Sequence, residues 1–281
     1  MTNAHNEIGA SVRILDGMVA FITGAARGQG RSHAIVLAEH GAAIIAVDVC
    51  KDISTAVYEP AASEDLKETV RLVEDAGGRI LAAELDVRDS VGMNTFVRSS
   101  ATELGGLDIV VANAGISTWA TLLEMSDEVW DEMIDINLTG VFRTLKAAVP
   151  LMVEYGKGGS IVITSSVAGI KSLPGMSHYS AAKHGVVGLM KAAAIELAPH
   201  RIRVNTVHPW GVDTPMAPTP DHAKQMLADN PSFMNSFSQL LHEPSIATPR
   251  DIAEAVLFLV SPAARLITGI QLPIDAGATK V

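Results

Sequence analysis

The chain has 281 residues, a net charge of -10 and a hydrophobic fraction of 48%, with only 4% aromatic residues. An acidic chain without a basic cluster or an aromatic platform lacks the features of a nucleic-acid-binding protein, so no nucleic acid partner is expected. No run of about 18 apolar residues occurs, so no membrane span is expected. Cys50 is the only cysteine, which excludes an intramolecular disulfide and favours a reducing, cytoplasmic location.

The pattern of the chain predicts a single domain over residues 16–281. Residues 1–15 are polar, contain no apolar stretch of signal-peptide length, and are predicted to be a lead-in to that domain. No repeat of solenoid period and no low-complexity linker divides the rest. Nucleotide-binding α/β sheets often remain one domain at this length.

Short apolar runs alternate with helix-length amphipathic segments, which is typical of consecutive βα units and predicts an α/β fold with a parallel sheet. The seven predicted strands are Met18–Thr23, Ala43–Asp48, Ile80–Asp86, Leu107–Asn113, Ser160–Thr164, Arg203–His208 and Gln271–Ile274. The predicted helices are Gly30–His40, Asp65–Ala76, Ser90–Leu104, Asp127–Val149, His178–Leu197 and Pro249–Val260. The last of these has a clear start in Thr248-Pro-Arg-Asp251, which combines a capping Thr, a first-position Pro and an acid.

A glycine-rich segment, Thr23-Gly-Ala-Ala-Arg-Gly-Gln-Gly30, lies directly between the first predicted strand and the first predicted helix. There the glycines can make a tight turn and let backbone N–H groups approach a pyrophosphate at the helix N-terminus. Asp48 ends the next strand, where a carboxylate can bind an adenosine ribose and would repel a 2′-phosphate. The pattern therefore predicts a dinucleotide and favours NAD over NADP, although Arg27 and Lys51 place cations nearby.

Two later segments extend this candidate cofactor site. Asp86-Val87 ends the third predicted strand, where the side chain and a backbone amide can meet an adenine. Asn113-Ala-Gly115 follows the fourth, where small residues permit a close approach of the chain to a cofactor. Both segments are predicted to line the same crevice as the glycine-rich loop.

Two connections are longer than simple βα alternation requires. Residues 49–63 follow the second predicted strand and contain Cys50, Tyr58 and Pro60. Residues 214–244 are rich in Pro, Met and Phe and follow the sixth strand, at a sheet end where open α/β folds bind ligands. Long ordered loops in compact domains are often functional. The first is predicted to lie over the cofactor, and the second to be a lid over an apolar substrate pocket.

Tyr179-Ser-Ala-Ala-Lys183 is the candidate proton-transfer pair. Positions i and i+4 of a helix share one face, so the phenol and the ammonium can point into one pocket. A nearby cation favours phenolate, so Lys183 is expected to lower the tyrosine pKa from its usual value of about 10. Ser166 follows the fifth predicted strand and can hold the substrate oxygen beside the phenol. Tyr179 is then a general base toward an alcohol or a general acid toward a ketone.

From about Gly17 to Gly277 the chain resembles the short-chain dehydrogenase/reductase family. The matching elements are Thr23-Gly-x3-Gly-x-Gly30, Asn113-Ala-Gly115, Asn137, Ser166, Tyr179-x3-Lys183 and Asp275-Ala-Gly277. The resemblance implies a single-domain Rossmann fold with a doubly wound sheet, hydride transfer between a substrate carbon and nicotinamide C4, and a homotetramer or dimer. It also implies that Lys183 holds the nicotinamide ribose and that Asn137 positions a water. The implied catalytic tetrad is Asn137, Ser166, Tyr179 and Lys183.

Within that family, residues 23–33, 48–53, 179–190 and 208–216 are similar to the mycofactocin-associated, carveol dehydrogenase-like subfamily. This similarity implies a secondary alcohol as substrate. It also implies an NAD retained under the loop of residues 49–63 and reoxidised in place by a mycofactocin-type electron carrier. One departure from the broad family is Pro209-Trp210-Gly211, where Pro-Gly is common, and the bulky Trp210 leaves the shape of the substrate pocket open. Val212 and Thr214 remain candidate contacts to the carboxamide and phosphates.

The residues and the resemblance together define the candidate cofactor site. Its members are Gly24, Arg27, Gly28, Gln29, Gly30, Asp48, Val49, Asp86, Val87, Asn113, Ala114, Gly115, Tyr179, Lys183, Val212 and Thr214. No His-Glu-x-x-His or comparable spacing occurs, so no metal is expected. Ser166 lacks the Gly-x-Ser-x-Gly elbow of a hydrolase, and His178 and His184 are expected to have packing or ordinary polar roles.

The most favoured function is an NAD-dependent alcohol dehydrogenase of the short-chain type. Two alternatives stay open on the sequence. One is a ketone or acyl-thioester reductase of the same family, although no basic entrance patch favours the thioester. The other is an NAD-binding regulatory protein without useful chemistry, against which the complete tetrad argues.

Overall fold

The computed structural model describes residues 13–281 and contains a seven-stranded parallel sheet in the order β3-β2-β1-β4-β5-β6-β7. The strands are β1 Val19–Thr23, β2 Ala43–Asp48, β3 Ile80–Glu84, β4 Ile109–Ala112, β5 Gly159–Thr164, β6 Ile202–Pro209 and β7 Gln271–Ile274. All seven predicted strands are present, and the predicted doubly wound α/β sheet is confirmed. β3 and β4 end earlier than predicted, so Asp86 and Asn113 lie in the loops beyond their strands.

Helices cover both faces of the sheet. They are α1 Gly28–Glu39, α2 Ser63–Asp75, α3 Ser90–Leu104, α4 Asp127–Ile134, α5 Gly140–Tyr155, α6 Ser177–Leu197, α7 Asp221–Asp229 and α8 Pro249–Val260. Successive side chains of a strand point to opposite faces. Phe21 of β1 therefore joins the core beneath α3, α5 and α6, and its neighbour Ile22 joins the core beneath α1, α2 and α8.

The order of the strands creates a crevice at their carboxyl ends. The chain runs from β1 outward through β2 and β3, then returns to the other side of β1 as β4. The loops after β1 and β4 therefore diverge at the carboxyl ends of the strands, which is where open α/β sheets bind their ligands.

The predicted lead-in meets the fold earlier than its boundary at residue 15 suggests. Residues 1–12 lie outside the described residues. Leu15 is fully buried, and its backbone N–H donates to the His40 carbonyl at 2.9 Å, so Leu15 already belongs to the packed domain.

The helix predicted over residues 127–149 is interrupted. A π-helical turn, Asp135–Thr139, separates α4 from α5. In this turn the Asn137 side chain accepts from the Ile116 N–H at 2.9 Å and donates to the Ile116 carbonyl at 2.8 Å. Helical bulges of this kind are rare and frequently occur at functional sites. α5 also continues past Pro150 to Tyr155, because the residues after the proline are still packed in the core.

Two further local features concern helix starts and the predicted lid. The cap predicted for α8 is confirmed, since the Asp251 N–H donates to Thr248 Oγ1 at 3.3 Å and the Thr248 N–H donates to the Asp251 carboxylate at 2.7 Å. The region of residues 214–244 contains α7 and a 3₁₀ segment, Pro231–Phe237, neither of which was predicted. None of the helices described over residues 13–281 has the length and apolar character needed to span a membrane.

Buried histidines make the stability of this fold sensitive to mild acid. His33, His178 and His208 are fully buried, and burial lowers the pKa of each to about 4. An unfolded histidine titrates near pH ~6.5, so below that pH the unfolded chain binds protons that the native chain does not. The free energy of unfolding is therefore expected to fall as the pH is lowered from about 6.5 toward 4, by up to ~1.4 kcal/mol per pH unit for each histidine.

Urea unfolding at a series of pH values between about 7.5 and 5 measures this slope, in a range that lies above the usual carboxylate pKa values. Replacing His33 with Gln should reduce the slope. Replacing the exposed His242 with Gln provides the control for the substitution itself. A flat wild-type profile over this range would contradict the expectation.

Candidate active site

A cavity of about 540 Å³ lies at the carboxyl ends of the strands. Its wall includes residues at or just beyond the ends of six strands, from β1 to β6. The structure brings every candidate site residue to this one cavity. They are Gly24, Arg27, Gly28, Gln29, Gly30, Asp48, Val49, Asp86, Val87, Asn113, Ala114, Gly115, Asn137, Ser166, Tyr179, Lys183, Val212 and Thr214.

The glycine-rich loop is packed too tightly to carry larger side chains. A Cβ on Gly30 would lie 1.9 Å from the Gly24 carbonyl oxygen. A Cβ on Gly24, whose φ is +68°, would lie 2.9 Å from Ala114 Cα. The loop thus exposes backbone at the N-terminus of α1, where N–H groups can bind an anion. Gln29 Oε1 is buried in the same loop without a hydrogen-bond partner among the described residues. These features fit a dinucleotide pyrophosphate.

Asp48 joins the two loops that border the nucleotide end of the cavity. One carboxylate oxygen accepts from the Ala26 N–H in the glycine-rich loop at 2.9 Å, and the other accepts from the Cys50 N–H at 3.2 Å. Each carboxylate oxygen can accept more than one hydrogen bond. The side chain can therefore hold both loops and still accept from ribose hydroxyls, as the sequence predicts.

The Asp86 carboxylate pairs with Arg88, at 2.7 Å for the shortest contact. Burial alone would raise the pKa of Asp86, but the hydrogen bonds and charge of Arg88 outweigh it and hold the pKa below its usual value. Both carboxylate oxygens accept from Arg88. Asp86 therefore lies at the predicted place, and its partner Arg88 was not predicted.

Hydrogen bonds to residues outside the loop hold residues 49–63 in place at two points. Arg88 also contacts Glu132 of α4 at 3.1 Å. The other oxygen of Glu132 accepts from Ser54 Oγ at 3.2 Å and from the Thr55 N–H at 3.1 Å. On the opposite side of the loop, the Arg27 guanidinium donates to the Glu59 carbonyl. The loop therefore bridges the N-terminus of α1 and α4, across the nucleotide end of the cavity.

The four residues of the predicted tetrad converge at the other end. Gly115 packs between Asn137 and Lys183, because a Cβ on it would lie 2.4 Å from Asn137 Oδ1 and 3.6 Å from Lys183 Nζ. Lys183 is buried, donates to the Thr164 carbonyl at 2.9 Å, and places its Nζ 5.5 Å from the centre of the Tyr179 ring. Ser166 Oγ, in turn, hydrogen-bonds the Tyr179 phenol.

The structure corrects the predicted direction of the tyrosine pKa. Burial raises the pKa of Tyr179 to about 12, and the hydrogen bond from Ser166 opposes this only in part. The Lys183 ammonium, 5.5 Å from the centre of the ring, does not reverse this direction. Burial also lowers the pKa of Lys183 to about 8.

Aromatic and aliphatic side chains wall the cavity around Tyr179. Trp119 and Phe237 stack with ring centres 5.8 Å apart, and Trp210 lies 6.1 Å from Phe237. Phe237 comes from the predicted lid and Trp210 from the insertion after β6, whereas no sequence pattern marks Trp119. The other apolar side chains of this wall are Ile116, Leu173, Met176, Met216, Leu227, Met234 and Ile246.

The two histidines near the tyrosine, His178 and His184, do not face the cavity. His178 hydrogen-bonds Thr118 Oγ1 at 2.6 Å, and His184 Nδ1 lies 2.9 Å from the Ser180 carbonyl. Neither lines the wall, in agreement with their predicted packing roles. Over residues 13–281, no three His, Cys, Asp or Glu side chains form a group that could hold a metal ion.

Known proteins are similar to this chain in both sequence and fold. A family model described as enoyl-(acyl carrier protein) reductase matches residues 24–279. The (-)-trans-carveol dehydrogenase of Rhodococcus erythropolis is 47% identical, over 94% of this chain and 98% of that protein. The carveol dehydrogenase of Mycobacterium avium, solved in complex with NAD, is 46% identical with a TM-score of 0.88, over 96% of this chain and 100% of that chain. A short chain dehydrogenase of Mycobacterium paratuberculosis bound to NAD is 45% identical with a TM-score of 0.92, over 95% and 99% of the two chains.

A doubly wound sheet with a dinucleotide crevice next to a Tyr-x3-Lys pair defines a nicotinamide-dependent oxidoreductase class. The similarity extends over almost the whole chain. The protein belongs to the short-chain dehydrogenase/reductase family.

Proposed function

We propose that this protein is an NAD-dependent oxidoreductase that transfers hydride between a secondary alcohol and the nicotinamide. One observation carries the proposal: a single cavity joins the glycine cradle and Asp48 to Ser166, Tyr179 and Lys183. The NAD-bound structures of the M. avium and M. paratuberculosis relatives support the choice of cofactor. When bound, NAD supplies the hydride acceptor and, in its oxidised form, a positive charge that favours the Tyr179 phenolate.

The cofactor is held along the length of the cavity. The loop of residues 24–30 binds the pyrophosphate, and Asp48 binds the adenosine ribose. Asp86 and Val87 border the adenine, and Arg88 holds the Asp86 carboxylate in place. Lys183 holds the nicotinamide ribose, and Val212 and Thr214 contact the carboxamide and phosphates.

Proton transfer is assigned to the tetrad. Ser166 holds the substrate oxygen by a hydrogen bond, and Tyr179 removes the hydroxyl proton as general base. Asn137, locked to Ile116 in the π-helical turn, positions the water that connects Lys183 to solvent. In the direction of ketone reduction, the Tyr179 phenol donates its proton to the substrate oxygen.

The substrate is an apolar, carveol-like secondary alcohol. The stacked rings of Trp119 and Phe237, the neighbouring ring of Trp210 and the aliphatic side chains around them form an uncharged wall. Such a wall gains free energy by burying hydrocarbon and offers no partner for a carboxylate or phosphate. Residues 214–244 act as the lid of this half of the site.

NAD is retained under the loop of residues 49–63 and reoxidised in place by a mycofactocin-type electron carrier. The hydrogen bonds of this loop to Glu132 and Arg27 support retention of the cofactor.

A cytoplasmic location agrees with the single cysteine of the chain. The active form is a homotetramer or dimer, supported by exposed apolar side chains such as Phe142, Phe258 and Leu266, and light scattering after size-exclusion chromatography measures its mass.

The first experiment uses freshly purified, desalted protein. A carveol-type secondary alcohol is added without free NAD, and reduced-nicotinamide fluorescence is followed. A rise that stops at about one equivalent per subunit is expected for a retained cofactor. A rise only after NAD is supplied would support dehydrogenase activity and would contradict retention of the cofactor. No rise in either case, across a panel of secondary alcohols, would favour the non-catalytic alternative.

Replacing Glu132 with Gln is expected to accelerate exchange of bound NAD about tenfold. The substitution removes the charge that pairs with Arg88 and weakens the hydrogen bonds to Ser54 and Thr55, and hydrogen bonds to charged groups are worth ~1.5–3 kcal/mol. Dissociation is measured by displacement of bound NADH with excess NAD in a stopped-flow fluorimeter. Glu128→Gln, an exposed position on the same helix, is the matched control. Equal dissociation rates in the two variants would show that the loop does not limit exchange.

A further inference from the structure

The proposed roles leave unexplained a second phenol in the cavity wall. Tyr58 belongs to the loop of residues 49–63 and lines the same cavity as Tyr179 and Ser166. Its neighbours Val57 and Glu59 are exposed, whereas Tyr58 is partly buried. The loop therefore turns this one side chain inward, toward the bound reactants.

The backbone on both sides of Tyr58 is held in place. Three residues before it, Thr55 is bonded to Glu132, and one residue after it, the Glu59 carbonyl accepts from Arg27. A segment fastened at both ends within five residues has little freedom to move its central side chain. The position of the Tyr58 ring is therefore set by the same contacts that close the loop over the nucleotide.

The backbone of Ser117 lies close to the hydroxyl of Tyr58. Burial raises the pKa of Tyr58, and a hydrogen bond from the backbone of Ser117 opposes it. Ser117 and Tyr58 line the same cavity, so the phenol lies on the wall next to the loop after β4.

Ser117 lies four residues beyond Asn113, in the loop after β4 that also borders Tyr179. The contact between Tyr58 and Ser117 thus joins the cofactor loop to the catalytic end of the cavity. The two phenols are close enough that charge on Tyr58 raises the pKa of Tyr179.

We propose that Tyr58 is a positioning residue for hydride transfer. Its hydroxyl, oriented by Ser117, donates a hydrogen bond to a polar atom of the bound reactants next to Tyr179, and its ring shields the nicotinamide end of the cavity from water. The inference rests on the proposed function. It gives the loop of residues 49–63 a part in setting the rate in addition to its part in retaining the cofactor.

Two substitutions separate the hydroxyl from the ring. Tyr58→Phe removes only the hydroxyl, and Tyr58→Ala removes both. Val57→Ala, at an exposed position in the same loop, is the control. Loss of one neutral hydrogen bond is expected to slow single-turnover formation of NADH about fivefold to tenfold in Tyr58→Phe. Tyr58→Ala should be slower still, and Val57→Ala should match the wild type.

A second readout requires no alcohol and tests the shielding alone. Acrylamide quenching of bound NADH fluorescence should increase in Tyr58→Ala and remain at the wild-type level in Tyr58→Phe and Val57→Ala. Because only NADH is needed, this measurement gives an answer even if no alcohol is oxidised, so failure of the proposed function is recognised separately.

Two results would overturn the positioning role of the hydroxyl. One is a single-turnover rate in Tyr58→Phe equal to that of Val57→Ala. The other is a Tyr58→Phe rate that falls only in proportion to a loss of thermal stability or of NADH affinity, which would make the role structural. Acrylamide quenching in Tyr58→Ala equal to that of the wild type would contradict shielding by the Tyr58 ring.

Discussion

Tyr179→Phe is expected to reduce turnover by about 10³-fold while leaving NAD bound, because a positioned general base contributes about 10² to 10⁴ in rate. Phe keeps the ring that packs beside Lys183 and removes only the oxygen that Ser166 contacts. The cradle of residues 24–30 and Asp48 are untouched, so affinity for NAD should change little. Turnover is measured with a carveol-type alcohol, and NAD content by extraction and absorbance.

Tyr155→Phe is the matched control for this variant. Tyr155 ends α5 and does not line the cavity, so its replacement should leave turnover unchanged. If Tyr179→Phe turned over at near the wild-type rate, proton transfer through the phenol would be wrong. If it lost bound NAD as well, the tyrosine would serve mainly to hold the cofactor.

Gly30→Ala is expected to abolish NAD binding and to destabilise the fold. A Cβ at this position would lie 1.9 Å from the Gly24 carbonyl oxygen and 2.6 Å from its carbon, both of them backbone atoms. Relief requires the glycine-rich loop to move away from α1, which displaces the N–H groups intended for the pyrophosphate. Forced overpacking typically costs ~1–3 kcal/mol of unfolding free energy. Urea unfolding and titration with NADH measure the two effects.

Gly188→Ala provides the comparison within the same chain. Gly188 lies in α6, and a Cβ there would have no heavy atom within 4 Å. Ala in place of Gly in a helix interior is expected to stabilise the protein by ~0.4–1 kcal/mol. NADH binding should stay normal in Gly188→Ala, and wild-type binding in Gly30→Ala would show that the loop tolerates a side chain.

Much of the fold could be predicted because its signals are local. Parallel strands buried on both faces appear as continuous apolar runs, as in β1, β2 and β4, and all seven predicted strands are present. The glycine-rich loop follows β1 directly and the Thr248 cap starts α8, so each depends only on a few neighbouring residues.

The main differences arise where distant segments meet. The π-helical turn depends on a bond between Asn137 and Ile116, which are 21 residues apart. The hydrogen bond that holds the loop of residues 49–63 against α4 joins Thr55 to Glu132, 77 residues away. No local pattern specifies either pairing, and the same holds for Trp119 in the substrate wall.

The pKa of Tyr179 likewise depends partly on a local spacing that the sequence shows and partly on burial that only the tertiary structure shows. The spacing of Tyr179 and Lys183 places both side chains on one face of α6, and the structure has them there. The spacing does not determine how deeply the phenol is buried or which atom the ammonium contacts. Burial proves to be the larger effect on the pKa, and Lys183 donates to the Thr164 carbonyl.

By itself, the sequence determined the α/β class, the positions of the strands, the cradle for a dinucleotide and the set of residues that converge on it. These follow from hydrophobic periodicity, turn chemistry and short motifs, all of which act within a few residues. Only the tertiary structure decided the apolar substrate wall, the two fastenings of the cofactor loop, the inward position of Tyr58 and the direction of the Tyr179 pKa. These depend on distances and burial between segments far apart in the chain, which packing of the whole domain sets.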